Sequence, residues 1–222
     1  MKKPTPTERA KALCETLPRV YPGAHCELDF ASPLELLVAT ILSAQCTDVQ
    51  VNKVTPGLFK KYRAARDYAE ADPAALEHDV RAIGLYRAKA KNICACCRLL
   101  VDEHEGKVPG TMDALVRLPG VGRKTANVVL GNAFGQNAGV VVDTHVARLS
   151  ARLGLTRQTD PKKIERVLMK LVPQKDWTLF SHWLIFHGRR RCKAVKPDCP
   201  NCELKDLCPS YPRLMKLRAA RA

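Results

Sequence analysis

Apolar positions recur at helical spacing along nearly the whole chain, and no segment alternates apolar and polar residues as a half-buried strand would. The stripe Leu34, Leu37, Val38, Ile41 and Leu42 predicts a helix, opened by Ser32 and by Pro33 in its first turn. Residues 5–20 predict a short basic helix ending near Pro18, followed by a turn at Tyr21-Pro-Gly. After the small and polar run Ser43–Asp48, Asp48 is expected to cap a helix carrying Val51, Val54 and Leu58, with Pro56 kinking or splitting it. Asp72-Pro73 opens a short helix through Leu76 and Val80, and a bend at Gly84 leads into a longer one reaching about Glu103. Thr111–Leu115, a helix from near Gly122, one to about Gly154, one over 161–171 and one over about 175–187 complete the expected set. The fold class expected is all-α.

The most informative turn is Leu118-Pro-Gly-Val-Gly-Arg-Lys, between two helical segments. Glycine reaches φ > 0 and has no Cβ to hold a ligand away, and the amides at a helix start suit a phosphate. The same residues also suit an ordinary bend between packed helices. Lys124 tips the balance, because a cation in the first turn opposes the helix dipole, where stability alone favours Asp or Glu. Further on, Asp143 follows the apolar run Val140–Val142 and reads as an N-cap for the helix containing Val146 and Leu149. Its carboxylate is also a candidate partner in chemistry for Lys124.

Charge supports a polyanionic partner. Lys and Arg number 37 against 22 Asp and Glu, giving a formal +15 over 222 residues. No apolar run is long enough to span a bilayer, and the basic start has no apolar segment behind it, so neither an anchor nor a secretory signal is expected. Ten cysteines in such a chain read as metal ligands and free thiols rather than disulfides. Cys94, Cys96 and Cys97 crowd one helix and read as core or surface thiols. Cys192, Cys199, Cys202 and Cys208 follow C-x6-C-x2-C-x5-C. Spacing alone leaves zinc and a cubane cluster both open, the long unequal gaps leaning toward the cluster. Lys193, Lys196 and Lys205 make that loop basic, which suits either phosphate contact or plain solvation.

Leu-Pro-Gly-Val-Gly-Arg-Lys-Thr-Ala over 118–126, followed by Val-Asp-Thr-His-Val-Ala-Arg over 142–148, resembles the endonuclease III family of DNA glycosylase/lyases. The likeness extends from Glu35 to Cys208. It implies two helical lobes with an active cleft between them. One would be a six-helix barrel over 26–137, with a helix-hairpin-helix near 111–133. The other would combine 1–25 and 138–222, with a [4Fe–4S] cluster held by the four terminal cysteines in the loop 192–208. It further implies that Lys124 is the nucleophile and that Asp143 is the essential carboxylate. Gln45, Leu85, Gly120, Gly122 and His145 would contact DNA, with Gln45 filling the gap left by a flipped nucleotide and Leu85 wedging the stack. Cys46 stands where relatives more often carry another small residue.

The implied protein is a monomeric cytoplasmic enzyme, nucleoid-associated through its DNA binding. It would remove oxidised pyrimidines from double-stranded DNA and cleave abasic sites. A monofunctional adenine glycosylase of the same superfamily is disfavoured by Lys124 and by the short tail after Cys208. A non-catalytic DNA-binding module with a structural metal leaves the pairing of Lys124 with Asp143 unexplained.

Overall fold

A computed structural model of the chain describes residues 4–219. Among the described residues every regular element is helical, as the periodicity predicts. The chain divides into two compact units, one of residues 26–138 and one joining the segment through His25 to everything from Gly139. The first helix, α1 (Pro6–Val20), starts in a capping box: the Thr5 amide donates to Glu8 at 2.6 Å, and the Glu8 amide donates to the Thr5 hydroxyl at 3.2 Å. It does not stop at Pro18. One backbone donor is lost there, but the helix continues to Val20 with Leu13 and Leu17 fully buried, and the Tyr21 amide closes it on the Leu17 carbonyl.

Seven helices form the 26–138 unit: α2 (Pro33–Leu42), α3 (Asp48–Lys61), α4 (Ala65–Ala69), α5 (Pro73–Asp79), α6 (Tyr86–His104), α7 (Met112–Leu115) and α8 (Arg123–Ala133). Every residue of α2 from Leu36 to Leu42 is buried, so this helix is enclosed rather than amphipathic, with α3, α6 and α8 packed against it. The expected cap of α3 is corrected. Thr47, extended at φ −78° and ψ 145°, accepts from the Gln50 amide, and Asp48 is the first helical residue. Pro56 lies within α3 without splitting it. Cys94, Cys96 and Cys97 are all buried in the core of this unit beside Ile93 and Leu100.

The other unit continues with α9 (Thr144–Arg152), α10 (Pro161–Leu171), α11 (Trp177–Arg190) and α12 (Tyr211–Ala219). A short 3₁₀ turn over Gln174–Asp176 precedes α11, which runs three residues beyond the expected His187. Leu13, Leu17, Val146, Leu149, Leu168, Phe180 and Leu184 form its core. Among the described residues no helix is long and apolar enough to cross a membrane.

Candidate active site and thiolate loop

The hairpin turn lies in the 26–138 unit. Gly120 has φ +77°, and a Cβ there would come within 3.0 Å of the Asn92 side chain on α6. Glycine is therefore required at 120 by the backbone and by packing, independently of any ligand. Gly122 differs: its φ of −94° is ordinary, it caps α8 without a side chain, and a Cβ would meet nothing within 4 Å. The open approach expected of the turn is thus found at Gly122. Lys124 is the second residue of α8 and is exposed.

Two further exposed residues of this unit, Gln45 and Leu85, share an uncommon backbone. Their φ angles are 53° and 58°, in the left-handed region that most side chains avoid. Leu85 is 61% exposed, a large apolar side chain left mostly in solvent at the start of α6. A Cβ on Gly84 would stand 3.8 Å from the Gln45 carbonyl oxygen, so the two tips are neighbours.

In the other unit, Asp143 caps α9, its Oδ1 accepting from the Val146 amide at 2.8 Å. His145 packs on α11 where Gly188 provides the space, since a Cβ there would lie 2.8 Å from His145 Nδ1. Arg148 Nη2 lies 3.1 Å from that Nδ1 and donates to the Gly188 and Cys192 carbonyls, each at 3.0 Å. Burial pushes the His145 pKa below its ordinary value, the Asp143 carboxylate opposes this, and Arg148 and Arg189 reinforce it. The imidazole is therefore favoured neutral and is engaged within its own unit.

Among the described residues no disulfide joins any of the ten cysteines, and Cys192, Cys199, Cys202 and Cys208 line one cavity. Among the described residues no three His, Cys, Asp or Glu side chains converge closely enough to hold a single metal ion. The thiols surround a volume rather than a point. Burial is the main influence raising Cys199, Cys202 and Cys208, and Cys192 adds to each, so positive charge in the cavity would favour these three as thiolates.

Sequence reasoning missed what braces this loop. Arg152, one turn after Arg148 on α9, donates to the Lys193 carbonyl at 2.7 Å, the Ala194 carbonyl at 3.0 Å and the Cys192 sulfur at 3.2 Å. Arg191 spans Asp198 at 2.7 Å and Glu203 at 2.8 Å. The i, i+4 spacing of Arg148 and Arg152 was the available signal. Lys193, Lys196 and Lys205 are exposed.

A family profile described as HhH-GPD superfamily base excision DNA repair protein matches residues 38–174. Endonuclease III of Synechocystis sp. is 57% identical over 203 residues, 91% of this chain and 93% of the relative. Endonuclease III of Bacillus subtilis is 50% identical over 85% of this chain and 86% of its own length. Among solved structures, a trapped endonuclease III–DNA covalent intermediate aligns with a TM-score of 0.90 and 48% identity, covering 94% of this chain and 98% of that one. On that identity and coverage the chain belongs to the endonuclease III family, within the HhH-GPD superfamily of base excision DNA repair proteins.

Proposed function

We propose that this protein is a base excision repair enzyme, a DNA glycosylase that is also an abasic-site lyase, acting on double-stranded DNA. The observation that carries the reading is the two-part motif in a chain of this family. Lys124 stands exposed in the first turn of a helix opened by Gly122, and Asp143 caps α9 directly after a buried valine run.

The substrate base must leave the duplex before it can react, at a cost of a few kcal/mol in unstacking. Amides of the hairpin turn at Gly120 and Gly122, with the basic surface, offset that cost through phosphate contacts that read no sequence. Leu85 wedges the stack, and Gln45 fills the gap left behind. The neutral Lys124 amine attacks C1′ of the extruded sugar, and the bond from C1′ to the base breaks, the base leaving with its bonding electrons. The Asp143 carboxylate stabilises the positive charge that develops on the sugar and helps deprotonate the amine. Opening of the sugar gives an imine between Lys124 and C1′, which acidifies the C2′ proton. Loss of that proton expels the 3′ phosphate and cuts the strand on that side. One amine thus performs base removal and strand cleavage. The substrates proposed are oxidised or ring-saturated pyrimidines and pre-existing abasic sites.

Cys192, Cys199, Cys202 and Cys208 would hold a [4Fe–4S] cluster, as in the family. A cubane takes one thiolate at each iron corner and so suits cysteines that surround a cavity. Its iron–sulfide core would supply positive charge to the four thiolates and so fix the loop, and no chemical step is assigned to it. The test is incubation with duplex containing a single abasic site, with borohydride present. Cleavage without borohydride and a covalent protein–DNA adduct with it are expected. Binding with neither would leave a DNA-binding module.

A further inference from the structure

Lys89 is a buried cation outside the chemistry described above. It is only 4% exposed, and burial pulls its pKa below the ordinary lysine value, with Cys46 pulling the other way. Its Nζ donates at 2.8 Å to the carbonyl of Leu42, the last residue of α2. That carbonyl is one a helix end leaves unpaired. The chain turns away immediately beyond it: with Gln45 left-handed, the Cys46 amide donates to Ser43 at 3.0 Å and not to Leu42. No basic residue lies in the last turn of α2, so Lys89 supplies from α6 the cation that a helix C-terminus favours. The same residue's backbone amide donates at 3.1 Å to the Leu85 carbonyl, the first hydrogen bond of α6. A second tie runs alongside, from the Gln50 side chain to the Ala82 carbonyl at 3.4 Å.

We infer that Lys89 is a positioning residue for base extrusion: it joins the α2 end that carries Gln45 to the α6 start that carries Leu85, and so fixes the spacing of the two tips. One residue grips both strained turns, by its side chain on one side and its backbone on the other. Two left-handed non-glycine residues side by side persist only where the surroundings over-determine them. The inference rests on the reading of Gln45 and Leu85 as the residues that enter the stack.

The test compares single-turnover cleavage of two probes: a duplex with dihydrothymine paired to adenine, which requires extrusion, and a single strand with an abasic site, which does not. Lys89→Met keeps the length and removes the cation and its donors. It should slow the paired probe about tenfold or more and the single-stranded probe less than about threefold, because unstacking is needed only for the first. Lys89→Arg, which retains a buried cation and donors, should keep the ratio of the two rates within about threefold of the parent. In the double variant Lys89→Met/Leu85→Ala the loss should not exceed that of the worse single variant by more than about twofold, since both act through one tip.

Equal losses on both probes from Lys89→Met, with Leu85→Ala still selective for the paired one, would overturn the inference alone. Multiplying losses in the double variant would do the same. If Leu85→Ala is itself unselective, the wedge reading falls and this inference with it. Should Lys89→Met fail to fold, Lys89→Gln carries the comparison under the same criteria.

Discussion

Asp143 Oδ1 accepts the Val146 amide at 2.8 Å, so the carboxylate assigned to charge stabilisation is also a structural cap. The two roles separate cleanly in one variant. Asn caps a helix about as well as Asp, so Asp143→Asn should change stability by less than about 0.5 kcal/mol. Removing a preorganised charge should slow base release by about 10²–10³-fold. Thermal melts beside single-turnover glycosylase rates decide the matter. Full activity in a normally stable Asp143→Asn would leave the residue a cap and nothing more.

The terminal loop makes a compositional prediction. Purified protein should be yellow-brown and contain iron and inorganic sulfide in about a four-to-four ratio, as a cubane requires. Cys199→Ser should lower folded yield or DNA affinity more than the rate of the chemical step, because a cluster held there would close a loop and is assigned no chemical step. Stoichiometric zinc without sulfide in native protein would remove the cluster from this account.

Much of the helical plan was legible because its boundaries are written in local chemistry. Ser32, Asp72, Thr111 and Asp160 each accept from an amide three residues on, at the boundaries where a cap belongs. Thr47 and Asp48 illustrate the limit: both can cap, they are adjacent, and only backbone conformation chooses between them. Two helices escaped notice for physical reasons. Ala65–Ala69 is too short to display a period, and Tyr211–Ala219 buries no residue, its short repeat of Tyr211, Leu214 and Met215 being set among Pro212 and basic residues. The motif residues of the candidate site could be singled out by type and spacing. Lys89 could not, because its side chain bonds a backbone carbonyl 47 positions distant, which leaves no trace in residue identity, and Arg148 and Arg152 offered only their spacing, their carbonyl partners lying 40 or more positions away.

A pH-dependent contribution to stability is expected away from the site. Asp79 receives hydrogen bonds from Lys61 at 2.6 Å and from the Tyr62 hydroxyl at 2.9 Å. Burial works against its carboxylate, but Lys61, Tyr62 and His78 outweigh that and hold its pKa below the ordinary value. A depressed folded-state pKa stabilises above the unfolded value, about 3.9, and that stabilisation is lost as pH falls through the folded pKa. Asp79→Asn should therefore melt slightly below the parent at pH 7, the effect being small for so exposed a pair, and the gap should close toward pH 3. A gap of unchanged size at pH 3 would mean that packing, not charge, explains it.

The enzyme reading depends most on the Lys124 amine. Exposed in the first turn of α8, it lies where a cation opposes the helix dipole, so its presence calls for a reason other than stability. If it is the nucleophile, Lys124→Gln should abolish borohydride trapping and strand cleavage together, while the melting temperature and affinity for abasic duplex stay near those of the parent. Should the lysine act only as a positive charge, Lys124→Arg would retain most activity. For a nucleophile, arginine should be as inactive as glutamine, with a loss of at least about 10³-fold, because guanidinium stays protonated at any relevant pH. Removing the wrong helix-start charge should, if anything, raise stability slightly, so a large drop in melting temperature would point to an unforeseen structural role. A trapped adduct still forming in Lys124→Gln would show that a different amine attacks the sugar.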